Sequence, residues 1–311
     1  MKVFVAGASG AIGKPLVRQL VAAGHEVTGM TRREERAEEI RAAGASAVVC
    51  DVFDRDALEA AMKEAAPEVV VHMLTALPAQ IDWKVSDPLG PTNRVRMEGT
   101  RNLIEAARPA GARRVVAESV AFLYASRGDW VKDEEAPLFK GAPEPFGGAV
   151  EALADLERQV TGAEDLDGLV LRFGWFYGPG TSYASDGSQA DEMRKRRLPI
   201  VGKGTGTFSF IHVEDAAAAT VAALDRGAPG TYNVADDEPA PMREWLPVYA
   251  EAVGAKPPRR VPVWLAKLVA GRALAGNAVE LRGASNAKAK QELGWEPQYA
   301  SWRQGFREAL G

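Results

Sequence analysis

At 311 residues, with 46% hydrophobic and 26% charged positions, the chain has the balance of a folded globular protein, which excludes disordered and collagen-like structure. Its one cysteine, Cys50, has no intrachain partner and its histidines (His25, His72, His212) are scattered, so a disulfide framework and a metal cluster are excluded; a chain this long needs neither to fold. A net charge of −4 argues against nucleic acid, no apolar run approaches the ~18 residues of a membrane helix, and strand-like sequence from Lys2 leaves no room for a leader; the expectation is a soluble, cytoplasmic protein.

In chain order, short apolar β-branched runs at 3–6, 26–30, 47–50, 69–74, 114–118 and 169–173 read as strands buried on both faces. Helical patterns lie between them at 12–23, 33–43, 56–65, 96–107 and 149–161. Most end at a breaker, with Gly24, Gly44, Pro67 and Gly111 at the expected places. Strand alternating with helix at this spacing predicts a doubly wound α/β fold with a parallel sheet. After Tyr177 the rhythm breaks. Two further short strands, 208–212 and 231–234, flank an Ala-rich helix at 213–224, and the tail from Asp237 carries helices, Pro-rich connectors and most of the late tryptophans. The expected division is residues 1–177, with 208–236 returning to them, and a smaller cap from 178–207 and 237–311.

Gly7, Gly10 and Gly13 follow the first strand and open the first helix. There Gly7 permits a tight turn, Gly10 lets backbone approach a pyrophosphate, and Gly13 allows close helix–sheet packing. Ser9, Ala11 and Ile12 complete this turn, and the helix N-terminus behind it offers N–H groups to phosphate. A dinucleotide with a free ribose 2′-hydroxyl calls for an acid at the end of the second strand. That strand instead ends Met30-Thr31-Arg32-Arg33. A guanidinium pairs with a 2′-phosphate, so NADP(H) is favoured over NAD(H), with Thr31 and Arg32 as ligands. The alternative for the arginines is a solvated helix start. Asp51, followed by Val52, is placed to meet the adenine edge or to cap the next helix.

The spacing Gly7-Ala-Ser-Gly10-Ala-Ile-Gly13 resembles the extended short-chain dehydrogenase/reductase superfamily, which includes the NAD-dependent epimerase/dehydratase family. Arg96-Met-Glu-Gly-Thr-Arg-Asn-Leu103, Leu171-Arg-Phe-Gly-Trp-Phe-Tyr-Gly-Pro-Gly180, Phe208-Ser-Phe-Ile-His-Val-Glu-Asp215 and the terminal Leu-Gly-Trp-Glu-Pro297 resemble further segments of that family, in the right order along the whole chain. The resemblance implies a Rossmann fold of about seven strands, a smaller C-terminal substrate domain and a cleft between them. It also implies cofactor contacts from Leu74, Thr75 and Ala76 and from Phe173, Trp175 and Phe176, and a homodimer as a family expectation.

The resemblance also marks a departure. The family opens the helix after its catalytic strand with Tyr-x-x-x-Lys, whose lysine lowers the pKa of the tyrosine. A phenol near ~10 needs such a cation to act as a base at neutral pH. Here Phe146 stands at the tyrosine position and Val150 at the lysine position, and no tyrosine of the chain has a lysine four residues later. The family's Ser/Thr position is Val120. Ser119 lies one residue earlier, on the opposite face of a regular strand, and is a surviving hydroxyl only if a bulge restores it. Tyr124, Tyr177, Glu118, His212 or water are the remaining sources of a proton.

Trp175 and Phe176 fit an aromatic wall beside the nicotinamide or ordinary core packing. The run Arg194-Lys-Arg-Arg197 fits an anion site or a solvated helix face, and residues 129–145 read as a flexible loop that closes over substrate. The expected function is an NADP(H)-dependent oxidoreductase acting on a small molecule, anionic if the basic run takes part. The alternatives are a non-catalytic NADP(H)-binding sensor and a nucleotide-sugar epimerase or dehydratase with rebuilt chemistry.

Overall fold

The computed structural model describes residues 1–78, 80–82, 85, 87–144 and 146–310, the side chains of 272, 273 and 277 excepted. Seven parallel strands form the central sheet: β1 (Lys2–Ala6), β2 (Glu26–Thr31), β3 (Ser46–Val49), β4 (Val69–His72), β5 (Arg114–Val120), β6 (Asp167–Phe173) and β7 (Gly230–Val234). Their order is β3-β2-β1-β4-β5-β6-β7. The order reverses between β1 and β4, so the loops leaving those two strands diverge and open the crevice where α/β sheets take ligands. The apolar runs are buried on both faces because helices cover both. Helices α1 (Gly13–Ala22) and α7 (Val213–Ala222) lie on one side, packed on Val5, Val71, Val116 and Leu171. On the other side, α3 (Arg55–Ala65), α5 (Thr100–Ala107) and α6 (Phe146–Thr161) pack on Phe4, Val70, Val115 and Val170. Between β2 and β3 runs α2 (Glu34–Ala42).

Three elements differ from the sequence expectation. The helix expected at 96–107 begins earlier, as α4 (Gly90–Arg94), and passes through a π-helical turn, Val95–Gly99, into α5. Just after that turn the Thr100 hydroxyl donates to the Arg96 carbonyl at 2.5 Å. The single strand expected at 208–212 is two, Thr207–Phe208 against Ala240–Pro241 and Phe210–His212 against Trp175–Tyr177. Ser209 divides them: its carbonyl accepts from Trp175 N at 2.7 Å, while its Oγ accepts from Ala284 N at 2.9 Å. The segment expected to be a flexible loop is tied down in part. Val131–Lys132 pairs with Gly283–Ala284, and the Arg282 guanidinium lies 3.9 Å from the Trp130 ring centroid. Its last residue, Pro145, falls outside the described residues.

Beyond the sheet, an aromatic cluster of Tyr177, Tyr183, Phe208, Phe210, Trp245, Tyr249, Trp302 and Phe306 forms a separate apolar centre from the later part of the chain. Among the described residues no helix is long and apolar enough to cross a membrane, and no group of His, Cys, Asp or Glu could hold a metal.

Candidate active site

The glycine turn is built as its spacing requires. Gly7 has φ +95°, and a Cβ there would lie 2.5 Å from the Met73 carbonyl oxygen, so only glycine lets the β1 and β4 exits approach this closely. A Cβ on Gly13 would strike the Gly7 carbonyl oxygen at 2.1 Å, which fixes α1 against the turn. At Gly10 the nearest atom to an added Cβ is the Gly7 oxygen at 3.3 Å, leaving the outer side of the turn open. No side chain caps α1 and its first turn holds no acid, so the positive end of the helix is unopposed. The cradle fits a pyrophosphate.

Beside it, Ser9 Oγ and Thr31 Oγ1 are 3.2 Å apart, and Arg32 follows, exposed, at the end of β2. Of the basic residues nearby, Arg36 and Lys14 reach Glu39 and Arg41 reaches Glu34, while Arg33 is exposed and has no ion pair among the described residues. Arg32 has no ion pair among the described residues, although two acids stand close in sequence. Asp51 Oδ1 accepts from Phe53 N at 3.0 Å, while the cap of α3 is Asp54, whose Oδ1 accepts from Ala57 N at 3.1 Å. Val52 is buried with its carbonyl held by Asn102.

Past β4, the segment holding Leu74, Thr75 and Ala76 is fixed from beneath by a buried histidine. His72 Nδ1 accepts from Leu74 N at 3.2 Å, so its Nε2 carries the proton toward Thr100 Oγ1 at 3.0 Å. Burial and the nearby Arg96 push the His72 pKa down to about 4, and the ring is neutral at neutral pH. Ala76 N donates to Thr92 Oγ1 at 2.7 Å. Phe173 is fully buried, Phe176 packs against it at 5.3 Å between centroids, and Trp175 stacks on Phe122 at 4.0 Å with both rings part-exposed. Trp175 therefore joins the aromatic cluster on one side and keeps a face outward, while its buried Nε1 has no partner among the described residues.

The proposed proton sources end up in different surroundings. Strand alternation turns Ser119 toward α6, where its buried hydroxyl donates to Glu157 Oε1 at 2.7 Å. Glu157 is gripped at both oxygens by Arg172, at 2.8 and 2.6 Å. Arg172 also donates to Tyr124 OH at 2.9 Å, and Tyr124 donates to Asn233 Oδ1 at 2.6 Å. Burial pushes the Tyr124 pKa up to about 12. Tyr177 is fully buried against Gly305 and the His212 ring, and burial drives its pKa up as well. His212 caps α7, its Nδ1 accepting from Glu214 N at 3.3 Å. Phe146 opens α6 and Val150, one turn on, is buried.

Two charged groups at the sheet's carboxyl edge have no ion pair among the described residues. Arg96, in the π-turn, is 9% exposed, and its guanidinium has one weak bond, to Asn93 Oδ1 at 3.4 Å. Glu118 is half-buried on β5, and burial pushes its pKa up to about 7 against the lowering effect of Arg96. Arg96 was not legible as a site residue, since Arg94, Arg96 and Arg101 look alike on a polar helix. The basic run 194–197 is largely a solvated face, with Arg194 and Arg197 paired to Asp191 and Glu192.

A nucleotide turn at a switch point, backed by a parallel sheet, defines a dinucleotide-binding α/β enzyme. The chain belongs to the NAD dependent epimerase/dehydratase family, whose model matches residues 3–235. A Streptomyces protein named 3-diazoavenalumate denitrifying reductase is 48% identical over 98% of this chain and 99% of its own length. The UDP-glucose 4-epimerase of Mycolicibacterium smegmatis is 31% identical over 96% of this chain and 95% of its own. The structure of Thermus thermophilus UDP-glucose 4-epimerase complexed with NAD superposes with TM-score 0.74 at 25% identity, covering 100% of this chain and 98% of that one. This protein is an oxidoreductase of the extended short-chain dehydrogenase/reductase type and uses a nicotinamide dinucleotide.

Proposed function

We propose that this enzyme is an NADP(H)-dependent reductase that acts on an arene bearing a diazo group in its cationic, diazonium form and replaces that group with hydrogen. The observation that carries the reading is the apolar pair Phe146 and Val150 where the family has its acid–base couple, with the nearby hydroxyls of Ser119 and Tyr124 held in buried bonds. Carbonyl reduction creates an oxyanion that must be protonated or stabilised, and an apolar wall penalises it. A diazonium acceptor removes that need, because its own positive charge is neutralised as it is reduced. When bound, the reduced dinucleotide supplies a hydride: its electron pair forms the new C–H bond, the C–N pair leaves with dinitrogen, and the dinucleotide is left oxidised.

The residues of this chain bind and orient. The turn at Gly7, Gly10 and Gly13 holds the pyrophosphate, and Thr31 with Arg32 holds a ribose 2′-phosphate. Leu74, Thr75 and Ala76, with Phe173, border the nicotinamide half. The part-exposed faces of Phe122 and Trp175 suit a flat aryl ring, and Phe146 and Val150 keep water from the reacting carbon. The name of the relative at 48% identity supports the same chemistry. An epimerase reading lacks the base that would deprotonate a sugar hydroxyl.

The test supplies the purified enzyme with NADPH and, in parallel, an arenediazonium, an aryl ketone and UDP-glucose. Dinitrogen release with equimolar NADPH oxidation is expected from the diazonium alone. Turnover of the ketone or the sugar nucleotide, with the diazonium untouched, overturns the reading.

A further inference from the structure

We infer that Glu118 is a specificity-determining residue whose carboxylate faces the substrate and selects an electrophile carrying positive charge. The inference rests on the diazonium reading above and deepens it. Along β5, Val116, Glu118 and Val120 share one face of the sheet, and Ala117 and Ser119 share the other. The first face carries α1 and the glycine turn, since Val116 lies in the same apolar layer as Ile12, Met73 and Leu171. Glu118 stands opposite Leu171 on β6, and its neighbour Ala117 stands opposite His72, the residue before Met73. The carboxylate thus comes out at the carboxyl edge, on the side of the nucleotide turn. It has no hydrogen-bond or ion-pair partner among the described residues.

An unpartnered carboxyl at such an edge is costly, and the fold offers easy remedies that this chain does not use. Arg96 is close enough to act on Glu118 electrostatically but forms no direct pair with it. The other charged groups nearby are turned away. Arg172 and Glu157 satisfy each other across the α6 face, and His72 is neutral and bonded to Thr100. A flat cation resting between the nicotinamide site and Trp175 would give Glu118 its missing partner. Charge loss during reduction would then release the neutral product.

The test uses the enzyme loaded with oxidised NADP and two non-reacting probes, phenyltrimethylammonium and its uncharged isostere tert-butylbenzene, with binding followed by calorimetry. Wild type is expected to prefer the cation by about tenfold or more, as a charge pair of reduced solvation warrants. Glu118→Gln is expected to abolish that preference while leaving tert-butylbenzene affinity unchanged. A preference retained in Glu118→Gln, or no preference in wild type, overturns the inference. If instead the cation binds in a Glu118-dependent way and no arenediazonium is reduced, the reaction proposed above fails and the carboxylate site stands.

Discussion

At the scale of single residues, the proposed function turns on Arg32 and on the pair Phe146/Val150. Arg32 is exposed beside Thr31 with no ion pair among the described residues, and on the proposed reading its guanidinium takes a 2′-phosphate. Arg32→Ala is expected to weaken NADPH binding by on the order of tenfold to a hundredfold, the worth of a charge-assisted bond, and to leave NADH binding unchanged. Fluorescence titration with both dinucleotides checks it; equal effects on the two would contradict the assignment. Phe146→Tyr combined with Val150→Lys restores a phenol and a cation one helical turn apart. Weak reduction of aryl ketones should appear in the double variant and not in either single one, because the phenol needs the cation to work near neutral pH. The glycine turn was legible, because it is a matter of residue type at a fixed spacing. The surroundings of Ser119 and Tyr124 were not: their partners Glu157 and Asn233 lie 38 and 109 residues away.

At the scale of elements, the Arg172–Glu157 pair binds α6 to β6 and, through Ser119, Tyr124 and Asn233, to β5 and β7. Both side chains are nearly buried, at 7% and 11% exposure, so removing one leaves an uncompensated charge inside. Arg172→Met is expected to lower the unfolding free energy by about 3–5 kcal/mol, measured by urea denaturation. A loss as small as that of an exposed pair would mean the network is only incidental. All seven central strands were readable from apolar runs and breakers, because burial of the inner strands on both faces leaves a strong compositional mark; β3, at the sheet edge, is only partly buried. The π-turn and the split at Ser209 were not: a one-residue change of helical register leaves no mark in apolar periodicity, and Ser209 is held by backbone groups of Trp175 and Ala284 far along the chain.

Across the whole molecule, the order reverses between β1 and β4, which opens the crevice where such sheets take ligands, and the later chain builds a separate aromatic cluster. The composition that excludes a metal cluster and a disulfide also narrows the mechanism. On the proposed reading, with Phe146 and Val150 at the Tyr/Lys positions, reduction would depend on the dinucleotide, on an electrophile that needs no proton from the enzyme, and on the unpartnered carboxylate proposed at Glu118. The most direct measurement is a single turnover with NADPH deuterated at the transferable C4 position and an arenediazonium, with the arene product read by mass spectrometry. The account predicts one deuterium on the carbon that bore nitrogen, with dinitrogen released in equal amount. A product carrying solvent hydrogen at that carbon, or no product while a ketone is reduced, would contradict it.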